Sequence, residues 1–216
     1  MGRMSVGERR DSLVAAAIRV AERDGVAATT TRAIAAEAGV SLATVHYCFA
    51  SKQELLEGVL TAIVTELSDA AQAELPPGED PGVLLRDGLR RLWEVVEREP
   101  GRQQVTYELT QVALRTEGMA GFARWQYEVQ HDLCRRHLEA VARAARVDWT
   151  LPMPVLARML LAVVDGAVLG WLVDRDGATA RRSLDALAES IGGFSRPAVG
   201  PPPCARQPAP EPPAPA

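Results

Sequence analysis

The chain has 216 residues, of which 47% are hydrophobic, and its formal net charge at pH 7 is −4. Three cysteines are too few for a disulfide-dense secreted scaffold, and charges and glycines interrupt the most apolar stretch, so we expect no membrane-spanning helix. The first residues lack the apolar segment of a secretory signal, which favours a cytoplasmic protein. The acidic balance argues against a uniformly basic surface for nucleic acid.

Apolar residues recur at helical spacing in nine segments, which glycines, prolines and capping residues separate. The predicted helices span about residues 8–24, 31–38, 42–50, 51–73, 81–98, 102–116, 121–146, 152–174 and 179–192. No segment shows the alternation of polar and apolar residues that is typical of a half-buried strand. The sequence therefore predicts an all-α fold.

The chain divides into three parts by composition. Residues 1–56 are predicted to form a three-helix unit, residues 57–195 a larger helical bundle, and residues 196–216, which hold nine of the 15 prolines, a disordered tail. The first unit has seven basic and six acidic residues, a net charge of +1, which leaves −5 for the remainder. The acidic average therefore hides a nearly neutral N-terminal unit.

Residues 31–49, TRAIAAEAGVSLATVHYCF, have the features of a helix-turn-helix. Ala35 is small where the two helices would cross, Gly39 tolerates the positive φ of a sharp turn, and Ser41 is suited to cap the second helix. Outward positions of that helix carry no acid, which suits an approach to DNA. Positions predicted to face inward are apolar, namely Ile34, Ala38, Val40, Val45 and Cys48.

This stretch resembles the DNA-binding domain of the TetR (tetracycline-repressor) family over about residues 9–60, and the rest agrees in architecture. The matching residues are Gly25, Thr29–Thr31, Ile34–Ala35, Ala38–Ser41, Thr44–Val45, Tyr47, Phe49, Ser51–Lys52 and Leu55–Leu56. His46 stands where the family commonly has Tyr, and an imidazole can also donate to a phosphate or a base edge. The resemblance implies a homodimeric, ligand-responsive regulator, expected to be a repressor, on a palindromic operator in double-stranded DNA.

Position and chemistry assign roles within this unit. Lys52, the sole lysine, begins the fourth helix, where the ammonium group and the helix N-terminus favour one phosphate, and Tyr47 is suited to another. Thr44 and His46 are expected at base edges. The alternatives are a solvated Lys52 and a Tyr47 that only packs. The complete set of predicted DNA contacts is Thr30, Thr31, Arg32, Ser41, Leu42, Ala43, Thr44, His46, Tyr47 and Lys52.

The last two predicted helices carry apolar stripes, and two such helices from each subunit would form the four-helix dimer interface that the resemblance implies. The alternative is that these stripes face only the core of their own chain. The predicted interface residues are Leu160, Val164, Val168, Leu172, Leu184, Leu187 and Ile191.

A sensing pocket is expected among helices four to eight, because ligand pockets are mainly apolar with a few polar groups. Core packing is the alternative role for each residue of the set. The sequence does not identify the effector beyond a small, partly apolar molecule. The candidate lining residues are Trp93, Tyr107, Gln111, Met119, Phe122, Trp125, Met159 and Trp171.

Catalytic, metal and cofactor sites are not expected. His131, Cys134 and His137 are spaced three residues apart, so on an ideal helix they span about 120° and 9 Å, too far for one tetrahedral ion. No nucleophile elbow, phosphate-binding glycine loop or zinc-protease motif is present. The alternative to a transcriptional regulator is a helical enzyme or small-molecule carrier with a vestigial helix-turn-helix unit.

Overall fold

The computed structural model describes residues 5–72 and 75–198, and within these ranges the chain forms nine α-helices and one two-stranded sheet. Every helix lies within two residues of its predicted ends, so the all-α prediction is confirmed. The helices are α1 (Val6–Asp24), α2 (Thr31–Ala38), α3 (Leu42–Cys48), α4 (Lys52–Gln72), α5 (Pro81–Arg98), α6 (Pro100–Arg115), α7 (Ala120–Ala145), α8 (Met153–Asp174) and α9 (Gly177–Gly192).

The strands β1 (Val147–Trp149) and β2 (Ser195–Pro197) pair antiparallel and join the end of α9 to the α7–α8 connection. The prediction that no strand forms was wrong for these six residues, because three residues are too few to show an alternating pattern. Arg196 and Pro197, which were assigned to the tail, belong to β2. Residues 199–216 of the predicted tail lie outside the described residues.

Two hydrophobic cores hold the helices together. The first contains the apolar faces of α1 to α4 and continues into α6 and α7 through residues such as Val105, Leu109 and Phe122. The second joins α5, α7, α8 and α9. The predicted boundary after residue 56 falls within α4, a continuous helix whose first turns pack in the first core. A displacement of α4 or α6 in the bundle would therefore shift residues that pack against the N-terminal unit.

The helix α8 is long and apolar enough to cross a membrane by length and composition, with a mean hydropathy of 1.9 over its best 18-residue window. Only 33% of that window is buried inside the chain. One face of α8, including Leu156, Leu160 and Val168, packs in the second core, as in many soluble proteins. Apolar residues on its other face, including Val163, Leu169 and Val173, are exposed in the single chain.

The helices α5 and α9 approach each other closely at two glycines. A Cβ atom added to Gly192 would lie 2.8 Å from the Cα atom of Gly82 and 2.9 Å from its nitrogen. Because both are backbone atoms, neither helix can accommodate a methyl group by a side-chain rotation. We expect Gly192→Ala to lower the free energy of unfolding by about 1–3 kcal/mol, measured by urea unfolding at a fixed protein concentration.

The matched control is Gly121→Ala in α7, where an added Cβ would have no heavy atom within 4 Å. Alanine favours a helix over glycine by about 1 kcal/mol, so this variant should be as stable as the parent or more stable. Equal unfolding midpoints for Gly192→Ala and Gly121→Ala would show that the α5–α9 contact is less tight than described.

Candidate functional site

The turn between α2 and α3 has the geometry expected of a helix-turn-helix. Gly39 ends α2 in the left-handed region with φ of 65°, which a residue with a side chain rarely adopts. Ser41 caps α3, because its hydroxyl oxygen accepts a hydrogen bond from the Thr44 amide at 3.2 Å. Ile34 and Val45 are buried between the helices. The predicted local roles of Gly39, Ser41, Ile34 and Val45 are therefore confirmed.

The outer face of α3 is exposed and has no acidic side chain. Leu42, Ala43, His46 and Tyr47 all face solvent, and 72% of Tyr47 is accessible, whereas Cys48 on the opposite face is buried. A short helix that is apolar inside and uncharged outside at its N-terminal end can approach base edges without electrostatic repulsion. The structure thus leaves available the side chains to which the sequence assigned DNA contacts.

Thr44 differs from the other predicted base contacts. Its side chain is half-buried, and its hydroxyl lies 2.9 Å from the Ser41 hydroxyl. A base contact by Thr44 would compete with this hydrogen bond, whereas the side chains of His46 and Leu42 are exposed. Thr31 is also half-buried, at the start of α2.

Two helix N-termini flank α3 and can bind phosphates. Lys52 is exposed in the first turn of α4, where the Glu54 amide donates to the Ser51 hydroxyl at 3.1 Å and the Glu54 carboxylate accepts from the Ala50 amide at 2.7 Å. Thr30 caps α2, and Arg32 is exposed in its first turn. Backbone N–H groups and a cation at a helix start together attract a phosphate.

Three arginines of this unit, Arg10, Arg19 and Arg23, form ion pairs with acidic side chains. Glu37 accepts hydrogen bonds from Arg19 and Arg23, and these guanidinium groups lower the pKa of that carboxyl. Arg10 binds Glu54, which lowers the pKa of Glu54 in the same way, and stacks 4.3 Å from the centre of the Phe49 ring. In the part of the chain that the structure describes, the exposed Lys52 and Arg32 form no ion pair with an acid, so their positive charges remain available to DNA.

A cavity of about 100 Å³ lies in the bundle between α4, α5, α6, α7 and α8. Its walls are mostly apolar side chains such as Leu89, Leu160 and Val164. Its polar lining residues are Ser68, Gln72, Gln103, Thr106, Tyr107, Gln130, Cys134, His137 and Asp165.

Of the eight residues predicted to line a pocket, only Tyr107 contacts this cavity. Large aromatic side chains are instead used for core packing: Trp93 and Trp171 meet edge to face with ring centres 5.5 Å apart, and Phe122 and Trp125 lie 5.6 Å apart in the first core. Gln111 is exposed. The seven residues that lie elsewhere are Trp93, Gln111, Met119, Phe122, Trp125, Met159 and Trp171.

Among the described residues that line the cavity, Asp165 is the only one with a formal charge near neutral pH. Burial raises the pKa of its carboxyl to about 6. The Tyr107 hydroxyl donates to the Asp165 backbone carbonyl at 3.1 Å, and burial, with a smaller effect of the Asp165 charge, raises the pKa of that hydroxyl. The same two causes raise the pKa of the Cys134 thiol to about 12.

His137 is buried beside the cavity and is neutral. Burial, with a smaller contribution from the positive charge of Arg91, lowers the pKa of His137 to about 4. Neither ring nitrogen has a hydrogen-bond partner within the described ranges. Sequence reasoning dismissed His137 as a metal ligand and gave Asp165 no role, although an acid within an apolar helix is itself a signal of a functional site.

Most residues predicted for the dimer interface are buried in their own chain. Leu160, Val168, Leu184, Leu187 and Ile191 pack in the second core, Val164 lines the cavity and Leu172 is half-buried. Both faces of α8 are apolar, so the spacing of apolar residues does not distinguish the inward face from the outward face. The residues chosen from the sequence lie on the inward face. The outer face of α8 is formed by other residues, which we call the α8 stripe: Val155, Met159, Ala162, Val163, Gly166, Leu169, Gly170 and Val173.

Comparisons with known proteins agree with this geometry. The family profile described as "Bacterial regulatory proteins, tetR family" matches residues 13–59, which include α2, α3 and the start of α4. The nicotine-responsive transcriptional repressor HdnoR of Paenarthrobacter nicotinovorans is 28% identical over 188 residues, which are 87% of this chain and 96% of that protein.

Solved structures share the whole fold. A TetR-family member from Streptomyces coelicolor is 28% identical, with a TM-score of 0.64 over 85% of this chain and 98% of that one. The multidrug binding protein EbrR, in complex with imidazole, is 28% identical, with a TM-score of 0.59 over 93% of this chain and 99% of that one. The shared profile, the relatives and the exposed helix-turn-helix lead to one conclusion: the chain is a DNA-binding transcriptional regulator whose residues 13–59 match the tetR family of bacterial regulatory proteins.

Proposed function

We propose that this regulator is a cytoplasmic homodimeric repressor that binds a palindromic operator through α3 and leaves it when a small molecule enters the bundle cavity. The observation that carries the DNA-binding part is the exposed, acid-free face of α3, in which His46 and Tyr47 are solvent-accessible while Val45 and Cys48 anchor the helix. Two such helices in a symmetric dimer would contact successive major grooves.

The dimer is supported by the α8 stripe. Its own residues are uncharged, with the exposed Arg158 at its edge; Val163, Leu169 and Val173 are 36%, 52% and 83% exposed, and Gly166 and Gly170 allow a close approach of backbones. An apolar face of this length is typical of an interaction surface. The exposed positions of α9 include the small residues Ser183, Ala186 and Ser190, next to the charged Arg182. Packing these helices against the same helices of a second copy would cover both faces.

Two helices connect the cavity with the DNA-binding unit. Residues 64–72 of α4 line the cavity, and the same helix begins at Lys52, about 25 Å away along its axis. Residues of α6 line the cavity as well, and Arg102 in that helix forms ion pairs with Glu22 of α1 and Glu66 of α4. A ligand that favours a different placement of α4 or α6 would therefore change the separation of the two α3 helices.

The names of similar proteins support a small organic effector. One relative is named as responsive to nicotine, and EbrR has been solved with imidazole and with proflavin. For this chain we infer from these ligands only that the effector is a small organic molecule. The lining residues of its own cavity determine which molecule binds.

The test is a mobility-shift titration of the full chain on DNA fragments that flank its own gene, with an excess of unrelated competitor DNA. We expect a retarded complex on at least one fragment that the competitor does not remove. Absence of any complex at low salt would contradict the proposal, because phosphate contacts alone retain DNA under that condition.

A further inference from the structure

The cavity has an unusual electrostatic composition for an apolar site. Of its lining residues, Asp165 alone carries a charge at neutral pH, since Tyr107 and Cys134 stay protonated and His137 stays neutral. No Arg, Lys or His within residues 5–72 and 75–198 forms an ion pair with its carboxylate. Arg91, whose positive charge acts on His137, donates to the carbonyl groups of Ala70 and Ala71. A half-buried carboxylate in an apolar cavity is stabilised by a cation that a ligand supplies.

Three neutral polar groups of the cavity, on Thr106, Tyr107 and His137, can accept hydrogen bonds. The Tyr107 hydroxyl has already given its hydrogen to the Asp165 carbonyl, and the Thr106 hydroxyl has given its hydrogen to the Arg102 carbonyl at 3.1 Å. Each therefore presents lone pairs. His137, which is 5% exposed, has no partner for its imidazole and can accept a further hydrogen bond. This pattern of acceptors around one negative charge fits a ligand with several donors and a positive charge.

The apolar walls and the size of the cavity limit the rest of the ligand. Leucine and valine side chains from α4, α5, α7 and α8 form most of the surface. A volume of about 100 Å³ is of the same order as the apolar cavity of roughly 150 Å³ that accommodates benzene. One small ring, or an alkyl group of similar bulk, therefore fills it.

We propose that the effector is a protonated amine with a compact apolar body, bound with its ammonium group at the Asp165 carboxylate and the Tyr107 oxygen and its body against the leucine and valine walls. The ligand supplies the missing cation. Its role as the effector rests on the function proposed above, whereas its binding does not. Asp165 is thus a specificity-determining residue that favours cations over neutral and anionic molecules of equal size.

Calorimetric titration of the DNA-free full chain with three ligands of one shape separates charge from size. The ligands are benzylamine, benzyl alcohol and benzoate, a cation, a neutral molecule and an anion. We expect the affinity for benzylamine to be at least about tenfold higher than that for benzyl alcohol, because only the cation forms a charge-assisted hydrogen bond with the carboxylate. We expect benzoate not to bind, because two carboxylates repel each other. Equal or tighter binding of the alcohol or of benzoate, or no binding of all three, would overturn the proposal.

Substitution of the carboxylate tests the residue. Asp165→Asn should lower the benzylamine affinity about tenfold or more and leave that of benzyl alcohol unchanged. Because burial disfavours the charge, this variant should melt at the same temperature as the parent or higher, so a loss of binding is not a loss of fold. The control, Asp69→Asn, makes the same charge change on the exposed face of α4 and should bind benzylamine as the parent does. An equal loss in both variants would contradict a specific role of Asp165.

Titration with pH gives a further readout. The groups that face Asp165 are Tyr107 from α6 and Cys134 and His137 from α7, while the lining residues of α4 and α5 have no titratable side chain. Only Asp165 changes its charge between pH 5 and 8, so the affinity for benzylamine, which stays protonated there, should fall as the pH drops through about 6. The Asn variant should show no such fall. A pH-independent parent would contradict the proposed ion pair.

The two proposals fail separately. If benzylamine binds the DNA-free chain and no DNA fragment is retained, the proposed repressor function is wrong while the amine site stands. If DNA is retained and benzylamine does not bind, the amine site is wrong while the repressor function stands. If both bind, benzylamine should release operator DNA from the parent and not from Asp165→Asn, and release from both alike would overturn the assignment of Asp165.

Discussion

A chain with Leu169→Glu and Val173→Glu is expected to be a folded monomer that binds the operator about 100-fold or more weakly than the parent. Both side chains belong to the α8 stripe and are exposed in the single chain, so the substitutions should change the monomer's own stability by less than about 0.5 kcal/mol. In a dimer they would bury four unpaired carboxylates against apolar helices. A monomer also loses the gain in affinity from two linked half-site contacts.

Sedimentation equilibrium and fluorescence anisotropy on operator DNA measure the two effects. The control is Leu114→Glu, which puts the same acid at a 65% exposed leucine of α6, outside the α8 stripe. This variant should stay dimeric and bind the operator with the parent affinity. A dimer in the doubly substituted chain, or an equal loss in the control, would show that the subunits associate through another surface.

Replacement of Lys52 is expected to weaken binding to all DNA sequences by nearly the same factor. The side chain is exposed in the first turn of α4, next to free backbone N–H groups, where a phosphate contact carries no sequence information. Lys52→Ala should reduce the affinity of the dimer about tenfold and lower the slope of log K against log salt by about one per subunit.

The measurement is anisotropy at four or more salt concentrations, on operator DNA and on an unrelated duplex. Lys52→Arg keeps the charge and should preserve the salt slope. An unchanged salt slope in Lys52→Ala would show that Lys52 does not contact a phosphate. A loss of affinity restricted to operator DNA would indicate that Lys52 contacts a base instead.

The fold and the DNA-binding unit could be predicted because their signals are local. Gly39 and Ser41 determine the turn and the helix start through their own backbone and side-chain geometry, and Pro81 and Asp80 do the same for α5. A pattern of this kind lies within a few neighbouring residues. The nine helices follow from such caps and from the spacing of apolar residues.

The cavity and the outer face of α8 depend on tertiary packing, which spacing does not reveal. Trp93 and Trp171 were natural candidates for a pocket, yet they pack against each other, and the cavity is bounded by leucines and valines. On α8 the apolar residues surround the helix, so periodicity alone did not separate the inward Val168 from the outward Leu169. In the sequence Asp165 is one of the charges that interrupt the apolar stretch of α8, and its place in the cavity is visible only in the folded chain.

Selection of bound sequences from a random DNA duplex library by the full chain tests the central claim most directly. The account predicts an inverted repeat, with half-sites whose centres lie about 34–36 Å or a multiple apart, occupied by two copies of the chain. His46→Ala, on the exposed face of α3, should select an altered half-site with the same symmetry. No enriched sequence, or a site without symmetry that one copy occupies, would contradict a dimer that recognises DNA through α3.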